Sequence, residues 1–286
     1  MNVVTFAALD PFAYQEVVRR ALAQDIRWGD VTTDGLVSTE QRVVGNLVLR
    51  TRCVLAGLDV AAECFRQLDP NVRLDRVERE GTWCDEGTPV ARVAGSAAAA
   101  LTAERTALTF LRRLSGVATL TRRLGDAASG RVTVRDTGET TPTLRALEQY
   151  AVRVGGGLTH GVGLDDRVVI TQNHAGVAGG VGIAVARLRR TGTQLPVEVV
   201  ICAVDDIDPA IAAGAAVLRV DAAAGDLVRE AVRRSRGHAR VAVSGALPHE
   251  RVAQALAAGA DYASLDLSTD AVPRVEVSLE LTRATN

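Results

Sequence analysis

The sequence contains no lysine: all 33 of its basic residues are arginines. That excludes a Schiff-base mechanism, a phosphate loop built on lysine and a swinging-arm carrier domain, each of which needs an ε-amino group. An excess of charge is missing too. With 34 acidic residues the net charge is −1, which argues against a nucleic-acid binder, because such a protein carries a basic face. Aromatic residues make up only 3% of the chain and hydrophobic residues 47%, so Val, Leu and Ala must fill the core. No apolar run approaches the ~18 residues needed to span a bilayer. The opening "MNVVTFAALDPFAYQ" has no basic stretch followed by an apolar one, as a signal peptide would. Cys53, Cys64, Cys84 and Cys202 match neither zinc-site nor CxxC spacing, and read as small buried hydrophobes in a reducing compartment. The expectation is a soluble, cytoplasmic protein with neither nucleic acid nor membrane as a partner.

What is present is a change of pattern along the chain. Residues 11–24 are helix-periodic, and "DIRWGDVTTDGLV" reads as a loop. Short strand candidates follow, around the helix "DVAAECFRQLD", with turns at Gly81 and Gly87. "SAAAALTAERTALTFLRRLSGVATLTRRLGDAA" is a long helical region. Beyond it strands and helices alternate. The strand candidates are 132–137, 167–171, 197–201, 216–221, 240–245 and 262–267. Such a series of βα units predicts an α/β barrel or a doubly wound sheet. In a barrel the chemistry gathers at the C-terminal strand ends, here Asp136, Thr171, Asp221, Ser244 and Asp266. The final "VEVSLEL" reads as a strand returning to the first domain.

The segment "RDTGETTPTLRALEQYAVRVGGGLTHG", residues 135–161, combines a strand end, a helix and a glycine-rich loop. Thr141 before Pro142 has the form of a helix start. Thr137, Thr140 and Thr141 either cap that helix or offer hydroxyls to an anion at its N-terminus. His160 follows glycines that let the backbone approach a ligand; a structural histidine is the alternative. Asn173 and His174 either cap the next helix or line a site. Asp221 ends an apolar strand, where an acid needs solvent, a partner or a metal. Ser244 and Gly245 either hold phosphate or form a turn.

Those motifs together resemble the quinolinate phosphoribosyltransferase family, the carboxylating nicotinate-nucleotide pyrophosphorylases. "AQDIRWGDVTTDGLV", "AERTALTFLRRLSGVAT", "DTGETTPTLRALEQYAVRVGGGLTHGVGLDDRVVITQNH", "AAGAAVLRVD" and "VAVSG" carry the likeness over nearly the whole chain. The resemblance implies an N-terminal α/β sandwich over residues 1–114, with the long linking helix, and a C-terminal open, TIM-like α/β barrel of about six βα units over 115–270. Residues 271–286 would return to the first domain. It also implies a homodimer in which Arg105 is donated across the interface to substrate. Within the barrel it makes His160 a site histidine, Asp221 an acid on the metal and ribose side, and Ser244 and Gly245 the start of a phosphate loop. Magnesium is the cofactor it implies. The family reaction joins quinolinate to phosphoribosyl pyrophosphate with loss of carbon dioxide and pyrophosphate.

The departures from the family pattern fall on charged positions. Its Asp-Thr-Arg-Lys-Thr reads Asp-Thr-Gly138-Glu139-Thr; the arginine after the histidine is Gly161; the lysine before "xNH" is Thr171. The second acid of Glu-x-Glu is Val200, leaving Glu198; the second loop glycine is Ala246, and later loop positions fall on Asp266 and Asp270. Each close ion pair is worth about 4 kcal/mol at an intermediate dielectric. These losses predict an altered enzyme for a pyridine-type or other N-heterocycle, or its ribosyl derivative, in a specialised biosynthetic pathway. Its chemistry would be N-glycosidic transfer or cleavage, or decarboxylation. His160, Glu139 and Asp221 would be catalytic, with Asp221 also the metal ligand. Arg105, Asp136, Thr137, Thr140, Thr171, Glu198, Ser244 and Gly245 would bind substrate. An authentic nicotinate-nucleotide pyrophosphorylase of NAD synthesis and a non-catalytic ligand-binding homologue are the alternatives.

Overall fold

The computed structural model describes residues 6–128, 132–161, 163–245, 254, 257–267 and 271–284. They form an α/β protein of two compact units. One comprises Met1–Leu120, Thr141–Gly156 and Val272–Asn286, the other Thr121–Thr140 and Gly157–Ala271. Ala246, Asp270 and most of residues 249–259 lie outside the described residues.

The first unit holds α1 (Gln15–Ile26), α2 (Val31–Leu36), β1 (Arg42–Leu49), β2 (Cys53–Val54), α3 (Leu58–Leu68), β3 (Arg73–Arg76), β4 (Trp83–Cys84), β5 (Pro89–Ser96), most of α4 (Ala97–Ala127), α5 (Arg145–Val154) and β12 (Val277–Arg283). Its main sheet runs β12-β1-β5-β3, all antiparallel, and β2 pairs with β4. The C-terminal strand therefore closes the edge of the first sheet. Gly45 permits this, because a Cβ there would lie 2.0 Å from the Glu280 carbonyl oxygen. Alanines give α4 strong helix propensity and let neighbours pack closely; Ala97, Ala100, Ala103, Ala107 and Ala118 are all fully buried. Two buried hydroxyls on α4 satisfy the backbone after β1: Thr119 Oγ1 accepts from Val54 N, and Ser115 Oγ accepts from Ala56 N. The other face of the core comes from Leu58, Val60 and Phe65 of α3, all fully buried, each contributing roughly 1.5–3 kcal/mol.

The second unit contains β6 (Thr133–Asp136), β7 (Val168–Ile170), α6 (Gln172–Ala178), α7 (Val181–Arg189), β8 (Val197–Ile201), α8 (Ile207–Ala212), β9 (Val217–Asp221), α9 (Gly225–Ser235), β10 (Arg240–Ser244) and β11 (Tyr262–Leu265). The six strands are parallel, in the order β6-β11-β10-β9-β8-β7. On a flat sheet β6 and β8 would be roughly 19 Å apart, at about 4.8 Å per strand step. Yet Arg135 Nη2 on β6 donates to Glu198 Oε2 on β8 at 2.7 Å. The sheet must curl so that these side chains meet inside it, which is barrel curvature. Leu218, Val220, Val241 and Val243 alternate onto the opposite, fully covered face.

Three expectations change, the first being that "DIRWGDVTTDGLV", read as a loop, holds the helix α2 over Val31–Leu36. The helix expected at Thr141–Pro142 begins at Arg145, with Leu144 as its cap residue. The Thr141 amide instead donates to Glu148 Oε2 at 2.9 Å. Thr143 holds a positive φ of 70°, a conformation that ends rather than starts a helix. Cys202 is exposed, whereas Cys53, Cys64 and Cys84 are buried.

Candidate active site

At the C-terminal end of β6 the chain turns over Asp136, which is fully buried. Its Oδ1 accepts the backbone N–H of His160 at 2.7 Å and that of Gly138 at 3.2 Å. One carboxylate thus ties the strand end to the glycine-rich loop. Gly138 turns with φ 80°, which an L side chain resists. Thr137 Oγ1 accepts the Glu139 N–H at 3.3 Å, and the Glu139 carbonyl accepts from Leu267 N. The Glu139 side chain itself is exposed. No described contact joins its carboxylate to His160, Asp136 or Asp221. Thr140 is partly buried beside it.

His160 sits inward, 6% exposed. Its Nε2 lies 3.3 Å from Glu198 Oε2. Glu198 is ringed by cations: Arg135 at 2.7 Å and Arg219 Nε at 3.4 Å. Burial alone would raise the Glu198 carboxyl, but the hydrogen bond from His160 and the nearby arginine charges outweigh it and hold the group at about 2. Glu198 is therefore an anion throughout the physiological range. Arg135 is fixed further by its Nε donating to Ser264 Oγ at 3.0 Å, and by its guanidinium lying 4.5 Å over the Tyr262 ring.

The remaining expected residues divide. Asp221 is exposed at the end of β9, its Oδ1 accepting from Ala223 N at 2.7 Å. Gly245 turns beside it with φ 100°, where a Cβ would sit 3.3 Å from Asp221 Oδ1. The Ser244 carbonyl accepts from Ala222 N. Thr171 is occupied as the N-cap of α6 in a capping box with His174, so its hydroxyl is committed to the backbone, and His174 caps as expected. At Gly161 a Cβ would meet Asp166 Oδ1 at 2.6 Å, so a side chain there would require the Asp166 carboxylate to shift. In the first unit, Arg105 is exposed 3.8 Å from Asp25. It lines a cleft of about 600 Å³ with Arg19, Arg20, Thr109 and Thr143.

Sequence reasoning passes over Arg135, Arg219, Tyr262 and Ser264. A signal was available. β8 and β9 each carry a charged residue between apolar neighbours, Val-Glu198-Val and Leu-Arg219-Val, and β6 carries Arg135 directly after Val134. Opposite charges at such positions must find one another. Among the described residues no group of three or more His, Cys, Asp or Glu side chains could hold a metal ion. Magnesium needs no such cage, since it takes one or two carboxylates plus substrate phosphates and water; Asp221 has that form.

Comparison with known proteins gives the ancestry. The family described as "Quinolinate phosphoribosyl transferase, C-terminal domain" matches residues 117–280, and "Quinolinate phosphoribosyl transferase, N-terminal domain" matches 30–115. The chain is 35% identical to a nicotinate-nucleotide pyrophosphorylase [carboxylating] of Mycobacterium leprae, over 94% of this chain and 97% of that one. It is 32% identical to the probable counterpart in Bacillus subtilis, over 94% and 93%. The crystal structure of NadC from Streptococcus pyogenes superposes with a TM-score of 0.89 at 30% identity, covering 98% of this chain and 100% of that one. These names speak for the carboxylating alternative rather than for an altered enzyme of a specialised pathway. On fold, motifs and full-length similarity together, the chain belongs to the quinolinate phosphoribosyltransferase family.

Proposed function

We propose that the protein transfers a phosphoribosyl group to the nitrogen of a pyridine-type heterocycle, in its simplest form the carboxylating nicotinate-nucleotide pyrophosphorylase reaction. The observation that carries this is similarity over almost the entire length to relatives of that name. The Asp136–His160–Glu198 arrangement is compatible with it. Asp136 holds the loop, ionised Glu198 orients the His160 ring, and the exposed Asp221 carboxylate offers negative charge to a cationic ribosyl centre. Asp221 would also hold magnesium, which when bound would neutralise pyrophosphate charge. The reading includes a homodimer in which Arg105 serves the partner's site.

A second reading is favoured by one specific observation. Gly138, Glu139, Gly161 and Thr171 supply no positive charge, and Thr171 is spent on a cap. An acceptor less anionic than quinolinate suits that surface better. One experiment separates the readings: purified protein with magnesium and phosphoribosyl pyrophosphate, offered quinolinate, nicotinate and neutral pyridines. Turnover of quinolinate in the ordinary range of ~1–10³ per second, abolished in Arg105→Ala, supports the first. Turnover confined to less anionic acceptors supports the second. No product from any heterocycle refutes both.

A further inference from the structure

We propose that Arg219 is the residue that recognises a carboxylate of the acceptor, from inside the barrel. Arg219 and Asp221 share a face of β9, Asp221 at the exposed C-terminal end and Arg219 one pleat deeper. That face is inward, because Arg219 reaches Glu198, which in turn meets Arg135 inside the curled sheet. The two arginines around Glu198 are bound very differently. Arg135 is held by Glu198, Ser264 and the Tyr262 ring. Arg219 is only 11% exposed and has the single Nε contact, at 3.4 Å. Among the described residues its two terminal nitrogens find no acceptor.

Its neighbours do not supply one. Val200 on β8 and Ala242 on β10 are its register partners, and both are small and apolar. A guanidinium walled by such groups keeps its unused donors available, and two of them match a planar carboxylate bidentately. Two arginines and one carboxylate leave this layer with one formal positive charge in excess. A monoanionic carboxylate balances that charge; a phosphate dianion exceeds it. The proposal rests on the reading that the ligand is a pyridine-type heterocycle, and it supplies from the barrel interior a cation of the kind that positions 138, 139, 161 and 171 lack.

The test is binding, not turnover. Calorimetry would compare the unaltered protein, Arg219→Met and Arg219→Lys with nicotinate, its neutral amide nicotinamide, and benzoate, a carboxylate without the ring nitrogen. Circular dichroism and thermal melting confirm that each variant is folded. The expected result is at least a tenfold loss of nicotinate affinity in Arg219→Met, partial retention in Arg219→Lys, and unchanged nicotinamide affinity. An equal loss for nicotinate and nicotinamide, or no loss, overturns the proposal. Arg219-dependent binding of benzoate with no binding of either pyridine keeps the carboxylate site and refutes the pyridine reading. No carboxylate binding by the unaltered protein overturns the site itself.

Discussion

The two units hold carboxylates in opposite ways. In the antiparallel-sheet unit, Glu80 is held by neutral donors. Its Oε1 accepts the Leu58 N–H that opens α3, at 2.6 Å, and its Oε2 accepts the Tyr150 hydroxyl at 2.6 Å. Gly57 precedes Leu58 and has no side chain to cap with, so a distant glutamate does it. Desolvation wins there, and the Glu80 carboxyl is pushed above its usual range. In the barrel unit, Glu198 is held by cations and lies well below that range. The difference teaches how to tell a structural acid from a site acid here. Glu80 finishes a backbone that lacked a cap. Glu198 supports a charged layer with donors left over.

The largest expected effect follows from breaking the charged layer. Glu198→Gln keeps the shape and leaves Arg135 without its counter-charge in a buried setting, where losing one partner of an ion pair costs about 3–5 kcal/mol. Urea unfolding should show that loss; a change under about 1 kcal/mol would mean that water reaches the layer and screens it. The pH dependence has a definite sign. The Glu198 carboxyl is held at about 2, below its ordinary 4.5, so its contribution is fully present above pH 4.5 and is lost as pH falls through 2.

Glu80→Gln should sharpen the contrast with a smaller effect. The amide oxygen can still accept from Leu58 N, and no cation is stranded, so the change at neutral pH should stay within about 1 kcal/mol. The sign with pH is reversed. Folding favours the protonated Glu80 carboxyl, so stability fades as pH rises from the ordinary 4.5 through the raised folded value. Glu80→Gln should remove that slope in unfolding experiments taken across mildly acid to neutral pH. A slope that persists in the variant would assign it to another group.

The same contrast explains what the sequence reveals. The six parallel strands are legible because short apolar runs alternate with helix-periodic segments, and each signal is local. His160 and Asp136 stand out for similar reasons, one beside glycines and the other at a strand end. The start of α5 is misread because Thr141–Pro142 has the form of a cap, whereas Glu148, seven residues on, takes the Thr141 amide from within the helix. Arg135 and Glu198 are 63 residues apart, and only closure of the barrel makes them partners. The arginines therefore read as ordinary charges until the curvature of the sheet is known.

Glu139 supplies the smallest effect and tests where the site ends. From its place in the first barrel-strand loop it is expected to act on the ligand beside His160. In the structure only its backbone is pinned, to Thr137 and Leu267, and its side chain is exposed. An exposed carboxylate with no described partner has no desolvated charge to lose, so Glu139→Gln should alter stability by no more than about 0.5 kcal/mol. Its turnover should fall less than tenfold on whichever acceptor the protein uses, while Asp136→Asn, which loosens the loop carrying His160, should fall further. Steady-state kinetics on the two variants with the same acceptor decides this. A loss of roughly 10²–10⁴-fold in Glu139→Gln, the scale of a general acid or base, would move the exposed glutamate into the catalytic group and shift the working site from the barrel interior toward its loops.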